Sequence, residues 1–132
     1  MSGAMIARAA VIAALRGDEA LSALVNSIDD GEPAKASVPW LRIGEASTTG
    51  WGARGVEGIA LRLTLQLAVR GDDEAAVGAI IDRMGAVLAG LPADLDEGWR
   101  ITSLRRERAR LSRRHNEWRA TGDLMLRLAR LG

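Results

Sequence analysis

Apolar and polar residues alternate strictly from Ile59 to Arg70. Leu61, Leu63, Leu65, Leu67 and Val69 fall on one side, Arg62, Thr64, Gln66 and Arg70 on the other. A period of two predicts a half-buried strand with one wet face. Gly71 ends it, and Asp72 or Asp73 caps a helix that runs to about Ala89. Its buried stripe is Val77, Ile80, Ile81, Met84, Val87 and Leu88, with Asp82 and Arg83 outside and Gly90-Leu91-Pro92 as the stop. Upstream, Met5, Ile6, Ala9, Ile12 and Leu15 recur near helical spacing and predict a helix over Met5–Leu15. Asp18 suits the cap of a short second helix, Asp18–Val25. Residues 29–39 read as loop, punctuated by Gly31, Pro33 and Pro39. Trp40–Ala46 reads as a strand, and Ser47–Gly58, with Gly50, Gly52, Gly55 and Gly58, as a mobile connector.

The last third predicts two strands, about 99–113 and 117–130, around a turn at Arg114–Glu117 where Asn116 suits an unusual φ. Leu124, Leu126 and Leu128 keep one phase. Trp99 and Ile101 share a phase that Leu104 breaks, which predicts a β-bulge near Thr102–Ser103. Beyond the bulge a regular strand puts Arg106, Arg108, Arg110 and Arg114 on one face. Some fifteen residues extend ~50 Å at ~3.3 Å each, so the hairpin tip is expected to project as an arm. The order α-β-β-α-β-β predicts an α+β fold in one domain, residues 1–132: a four-stranded, mostly antiparallel sheet with two main helices on one face and a long C-terminal β-hairpin.

Charge sharpens this picture. Residues 100–132 carry ten Arg against Glu107, Glu117 and Asp123, a surplus of +7, while residues 1–99 carry −6. The formal net charge of +1 hides the split. The chain has no Cys, which excludes disulfides, thiolate metal sites and a Cys nucleophile, and its one His excludes a His-His metal pair. Met5–Leu15 is interrupted by Arg8 and does not read as a signal peptide, and no apolar run nears the ~18 residues that span a bilayer. The reading is a soluble protein with no membrane partner. Trp40, Trp51, Trp99 and Trp118 are the only aromatics, too few for a base-stacking platform.

Gly50-Trp51-Gly52-Ala53-Arg54-Gly55 spells GxGxxG, but a strand follows it where a dinucleotide site needs a helix. It reads instead as a loop between strands, or as a loop that orders on assembly with Trp51 and Arg54 as contacts. His115 at a turn has no pocket and reads as solvated. Asp72-Asp73-Glu74 suits helix capping, and Asp94, Asp96 and Glu97 a solvated loop. No constellation for catalysis stands out, and no cofactor or metal is implied. The arginine hairpin keeps three readings open: an edge guarded by charge, a phosphate grip, or a dock for an acidic neighbour, which Arg's planar fork suits.

The chain resembles the tail-completion or tail-terminator proteins of long-tailed phages and gene transfer agents. The likeness lies in the N-terminal helix followed by Leu21-Ser22-Ala23-Leu24-Val25, and in Val38-Pro39-Trp40-Leu41-Arg42-Ile43-Gly44-Glu45 leading into a strand. It continues through the glycine stretch before Gly58-Ile59-Ala60-Leu61-Arg62-Leu63-Thr64-Leu65, the helix with Ala86-Val87-Leu88 before Leu91, and a long final hairpin. The resemblance implies a structural virion protein with no catalysis. It implies a ring of six copies at the neck end of the tail, assembled in the bacterial cytoplasm. Its partners are then further copies of itself, the tail tube protein and the head-side stopper or connector, with DNA passing through the lumen. The Ala/Arg-rich composition with one Lys suits a GC-rich bacterial source, and so a gene transfer agent or a prophage. Expected contact residues are Gly50, Trp51, Arg54, Arg106, Arg108, Arg110, Arg113, Arg114 and Trp118. The rival reading is a nucleic-acid-binding protein that uses the basic hairpin as a β-ribbon.

Overall fold

A computed structural model describes residues 2–31 and 37–131. Three helices, α1 (Gly3–Gly17), α2 (Glu19–Leu24) and α3 (Glu74–Ala89), accompany one sheet. Its strands are β1 (Ser27–Asp30), β2 (Trp40–Ala53), β3 (Val56–Arg70), β4 (Arg100–Arg114) and β5 (Glu117–Leu131), and a 3-10 turn, Asp96–Gly98, precedes β4. The spatial order is β1-β2-β3-β5-β4. Every pairing is antiparallel except β1 with β2. The class is α+β as the sequence predicts, but the sheet has five strands, not four. The extra one is β1, which takes Asp29 and Asp30 out of the predicted loop; residues 32–36 of that loop, with Pro33, lie outside the described residues. Two aspartates in four residues are poor strand formers, and only pairing with β2 makes a strand of them.

The alternation in β3 decides the layering. Leu61, Leu63, Leu65, Leu67 and Val69 turn inward and join Leu41, Ile43, Leu124, Leu126 and Leu128 from neighbouring strands. Ile6, Val11 and Leu15 of α1, Leu21 of α2, and Val77, Ile80 and Leu88 of α3 close the core. Met5 and Ala9, expected in the α1 stripe, point outward, and Ala7 and Val11 are buried instead. The sheet's other face keeps Arg42, Arg62, Thr64, Gln66 and Asp123 half-exposed.

Asp73 caps α3, accepting from the Ala76 amide at 3.3 Å. Asp18 caps α2 through the Leu21 amide at 2.9 Å and also grips Arg83 of α3 at 2.6 and 2.7 Å. The Arg83 hydrogen bond, helped by the Leu21 amide, lowers the Asp18 pKa from 3.8 to about 2. Because the folded value lies below the unfolded one, this contribution to stability is full above the ordinary carboxylate range. It is lost as pH falls through about 2. An Arg83→Gln variant should melt below the parent at pH 6, with the gap closing as pH approaches 2. The gap should also shrink in 1 M salt, since the pair is open to solvent.

The glycine stretch departs from the sequence reading. It is not a connector but the far half of β2, which pairs with β3 as far as Ala53↔Val56 around an Arg54-Gly55 turn. Trp51 stands opposite Gly58, where a Cβ would come within 2.5 Å of the indole, so the absent side chain leaves room for the ring. The hairpin departs too. β5 pairs with β3 from Val56↔Leu131 to Arg70↔Glu117, so no arm projects and the hairpin is the rim of the sheet. The tip does not project because β3 is as long as the hairpin strand that it supports.

Candidate functional site

The expected bulge is present, with a register shift between Ile101 and Ser103. A second, unforeseen shift falls between Glu107 and Arg110, where Arg108 adopts φ 47°. It moves the strand by one residue, so the arginines do not share a face. Arg106 pairs opposite Leu124 on the helix side, and its guanidinium lies against Gly85 of α3. Arg110 and Arg114 pair opposite Thr121 and Glu117 on the open side, and Arg113 pairs with Trp118 on the helix side. At the turn it is His115, not Asn116, that takes the positive φ, at 52°.

Much of the hairpin's charge is spent inside the fold. Arg105 bonds Glu107 at 3.0 Å, Arg119 bonds Glu117 at 2.9 Å, Arg100 bonds Asp94 at 3.0 Å and Arg130 bonds Glu57 at 2.9 Å. Glu107 and Asp123 also face Arg62 of β3, at 3.8 and 2.9 Å. Each Trp carries a guanidinium: Arg113 over Trp118 at 5.5 Å, Arg127 over Trp51 at 5.5 Å, Arg130 over Trp99 at 4.7 Å, and both Arg119 and Arg42 over Trp40 at 5.0 and 5.7 Å. Arg105–Glu107, Arg119–Glu117 and Arg42–Trp40 are two residues apart on one strand face, whereas Arg130–Glu57, Arg127–Trp51, Arg119–Trp40 and the Arg62 pairs join residues far apart in the chain, which the sequence had no means of assigning.

Arg108, Arg110 and Arg114 remain. All are exposed, and none bonds a carboxylate or a ring among the described residues. They lie on β4, an outer strand of the sheet, beside Leu111, which is 57% exposed. Next to them a groove of about 600 Å³ runs between α3 and the hairpin, with Leu67, Ile81, Met84 and Ala120 on its floor and Arg106 and Leu111 on its rim. Of the other expected contacts, Gly50 and Arg54 are exposed near the β2–β3 turn, and Trp51 and Trp118 are half-buried. The β2–β3 turn and the β4–β5 turn lie at opposite ends of the sheet, as the β3–β5 register requires. The expected residues therefore form two groups, not one site.

A β-ribbon that enters a nucleic-acid groove is two strands with both outer edges free. Here β5 is covered by β3 along its whole length, so the hairpin lacks that form.

The model of the family described as tail completion protein gp17 matches residues 9–128. The chain belongs to that family. Tail-completion membership makes it a structural virion protein of the tail, as the resemblance implied. No curated protein has a matching sequence. Among solved structures, a chain from the virion of a native gene transfer agent particle shares this fold with a TM-score of 0.82. The match covers 98% of this chain and 99% of that one at 20% identity, a level at which the likeness speaks for the fold.

Proposed function

We propose that six copies close into a ring that ends the tail tube and joins the tail to the head-side connector. The carrying observation is the tail-completion family match over residues 9–128. The surface supports it. A ring needs two different, complementary patches on each subunit, and this chain puts Arg108, Arg110 and Arg114, which bond no carboxylate or ring among the described residues, on one rim of its sheet, and Asp29 and Glu45 toward the other, where Asp30 is already paired with Arg8. In such a ring the two hairpin turns face the two axial neighbours, one with Gly50, Trp51 and Arg54, the other with Arg113, Arg114 and Trp118. DNA leaving the head passes through the lumen.

Native mass spectrometry with negative-stain imaging, with and without the tail tube protein, tests this. A six-copy mass and an annular image that caps tubes are expected. Tubes that grow to the same length with and without the chain, together with a purely monomeric mass, would overturn it.

A further inference from the structure

The sheet ends in two unlike strands, and following the pairing across it shows what stands level with what. Asp29 of β1 is level with Arg42, Gln66 and Thr121, and then with Arg110 of β4. Ile28 is level with Leu41, Leu67 and Ala120, and then with Leu111. Ser27 is level with Trp40, Ala68 and Arg119, and then with Ser112. Among the described residues no strand pairs with the outer side of β1, or with β4 beyond Arg100, where Asp94 forms a single bridge.

We infer that the outer edge of β1 in one copy pairs, antiparallel, with the Arg110–Ser112 stretch of β4 in the next, so that the sheet continues from subunit to subunit. The inference rests on the ring reading and names the strands that join its members. The directions agree. β1 runs parallel to β2, and β4 runs opposite to β2 after three antiparallel steps. A sideways neighbour in the same orientation therefore brings β1 and β4 together as an antiparallel pair.

Side chains agree on both faces. On the open face Asp29 meets Arg110, an opposite-charge cross-strand pair. On the helix face Leu111 meets the flank of Ile28, and Leu24 at the end of α2, itself 36% exposed, moves toward the groove beside α3. An edge kept apart by charge has no use for a leucine that is 57% exposed between Arg110 and Ser112, whereas an edge that is covered does. Three β1 groups are already engaged among the described residues: the Ile28 carbonyl accepts from Arg16 Nε at 2.8 Å, one Asp29 carboxylate oxygen accepts from Ser27 Oγ at 2.7 Å and leaves the other for Arg110, and Asp30 pairs with Arg8. A carbonyl oxygen has a second lone pair for the neighbour's amide. The two edges differ, so the contact is heterologous and propagates head to tail, as a closed ring requires.

The absence of native cysteine makes the test direct. Asp29→Cys and Arg110→Cys in one chain place thiols across the proposed junction, where opposed Cβ atoms lie ~5 Å apart. Mild oxidation of assembled rings should then give a ladder of linked species on a non-reducing gel, which neither single variant gives. Rings that assemble normally but yield no ladder overturn the edge pairing and leave the ring reading standing. A wild-type chain that never forms rings overturns both. If the cysteine pair itself does not assemble, a charge swap decides. Asp29→Arg and Arg110→Asp alone should each weaken assembly more than tenfold, and the two together should restore it. Failure of the double variant to assemble better than either single one rejects the junction.

Discussion

Reversing Arg108, Arg110 and Arg114 to glutamate together is expected to abolish ring assembly while leaving the fold intact. The fold should survive because all three side chains are exposed and make no bond to a described carboxylate or ring. Arg108 holds a left-handed φ of 47°, but glutamate is no worse there than arginine. Arg106 is left out because its guanidinium lies on Gly85 of α3, where a reversal would disturb packing as well as charge. Assembly should fail because like charges brought together across an interface cost several kcal/mol. Since ~1.4 kcal/mol is tenfold in affinity, association should weaken at least ~100-fold. Native mass spectrometry at matched concentration reads the loss, and circular dichroism with a thermal melt checks the fold. Six-copy rings in unchanged yield would remove the arginine rim from the assembly surface. The same variant bears on the nucleic-acid reading. If rings persist while retention of DNA falls and its salt dependence flattens, the arginines serve phosphates instead of neighbours.

Gly71→Ala is expected to cost about 2–3 kcal/mol and to lower the melting temperature by roughly 6–12 °C. Gly71 is buried where β3 ends, and the His115-Asn116 turn sits against it. A Cβ there would come within 2.8 Å of both the carbonyl carbon and oxygen of Asn116, which are backbone atoms that a rotamer change cannot move. Gly78→Ala in the exposed flank of α3 is the control. Nothing lies within 4 Å of its Cβ position, so helix propensity alone acts and should stabilise by up to ~1 kcal/mol. Opposite signs at the two sites, read by urea denaturation, are the expected outcome. Two small effects of the same sign would mean that the hairpin tip is not seated on the β3–α3 turn. The contrast matters for function, because a seated tip holds the arginine strand at a fixed place on the rim.

Strong periodicity was readable wherever one local rule ruled. The leucine alternation gave β3 its inward face, Asp73 and Gly90 bounded α3 as expected, and the clash of phase between Ile101 and Leu104 located the first bulge. The resemblance carried the family correctly, and the element order gave the α+β class with one strand too few. β1 was hidden because Ser27–Asp30 has one apolar residue and owes its extended form to a partner thirteen positions on. The far half of β2 was hidden because its glycines read as flexibility, while in the sheet Gly58 makes space for Trp51.

By itself, then, the sequence determined the layers of this protein and the opposition of a basic last third to an acidic body. Burying apolar area is a local, periodic demand, and net charge is additive along a chain. Only the tertiary structure decided which arginines lack a carboxylate or ring partner among the described residues. Seven of the ten in the hairpin segment bind carboxylates, stack on indoles or lie on α3; Arg105–Glu107 and Arg119–Glu117 follow the period of two, but Arg106 on α3, Arg127 on Trp51 and Arg130 on Glu57 and Trp99 join residues that no spacing rule connects. The structure also made the hairpin a rim and not an arm, because a strand's exposure depends on what pairs with its other edge. It set Asp29 level with Arg110, a relation fixed by register across four strand pairings.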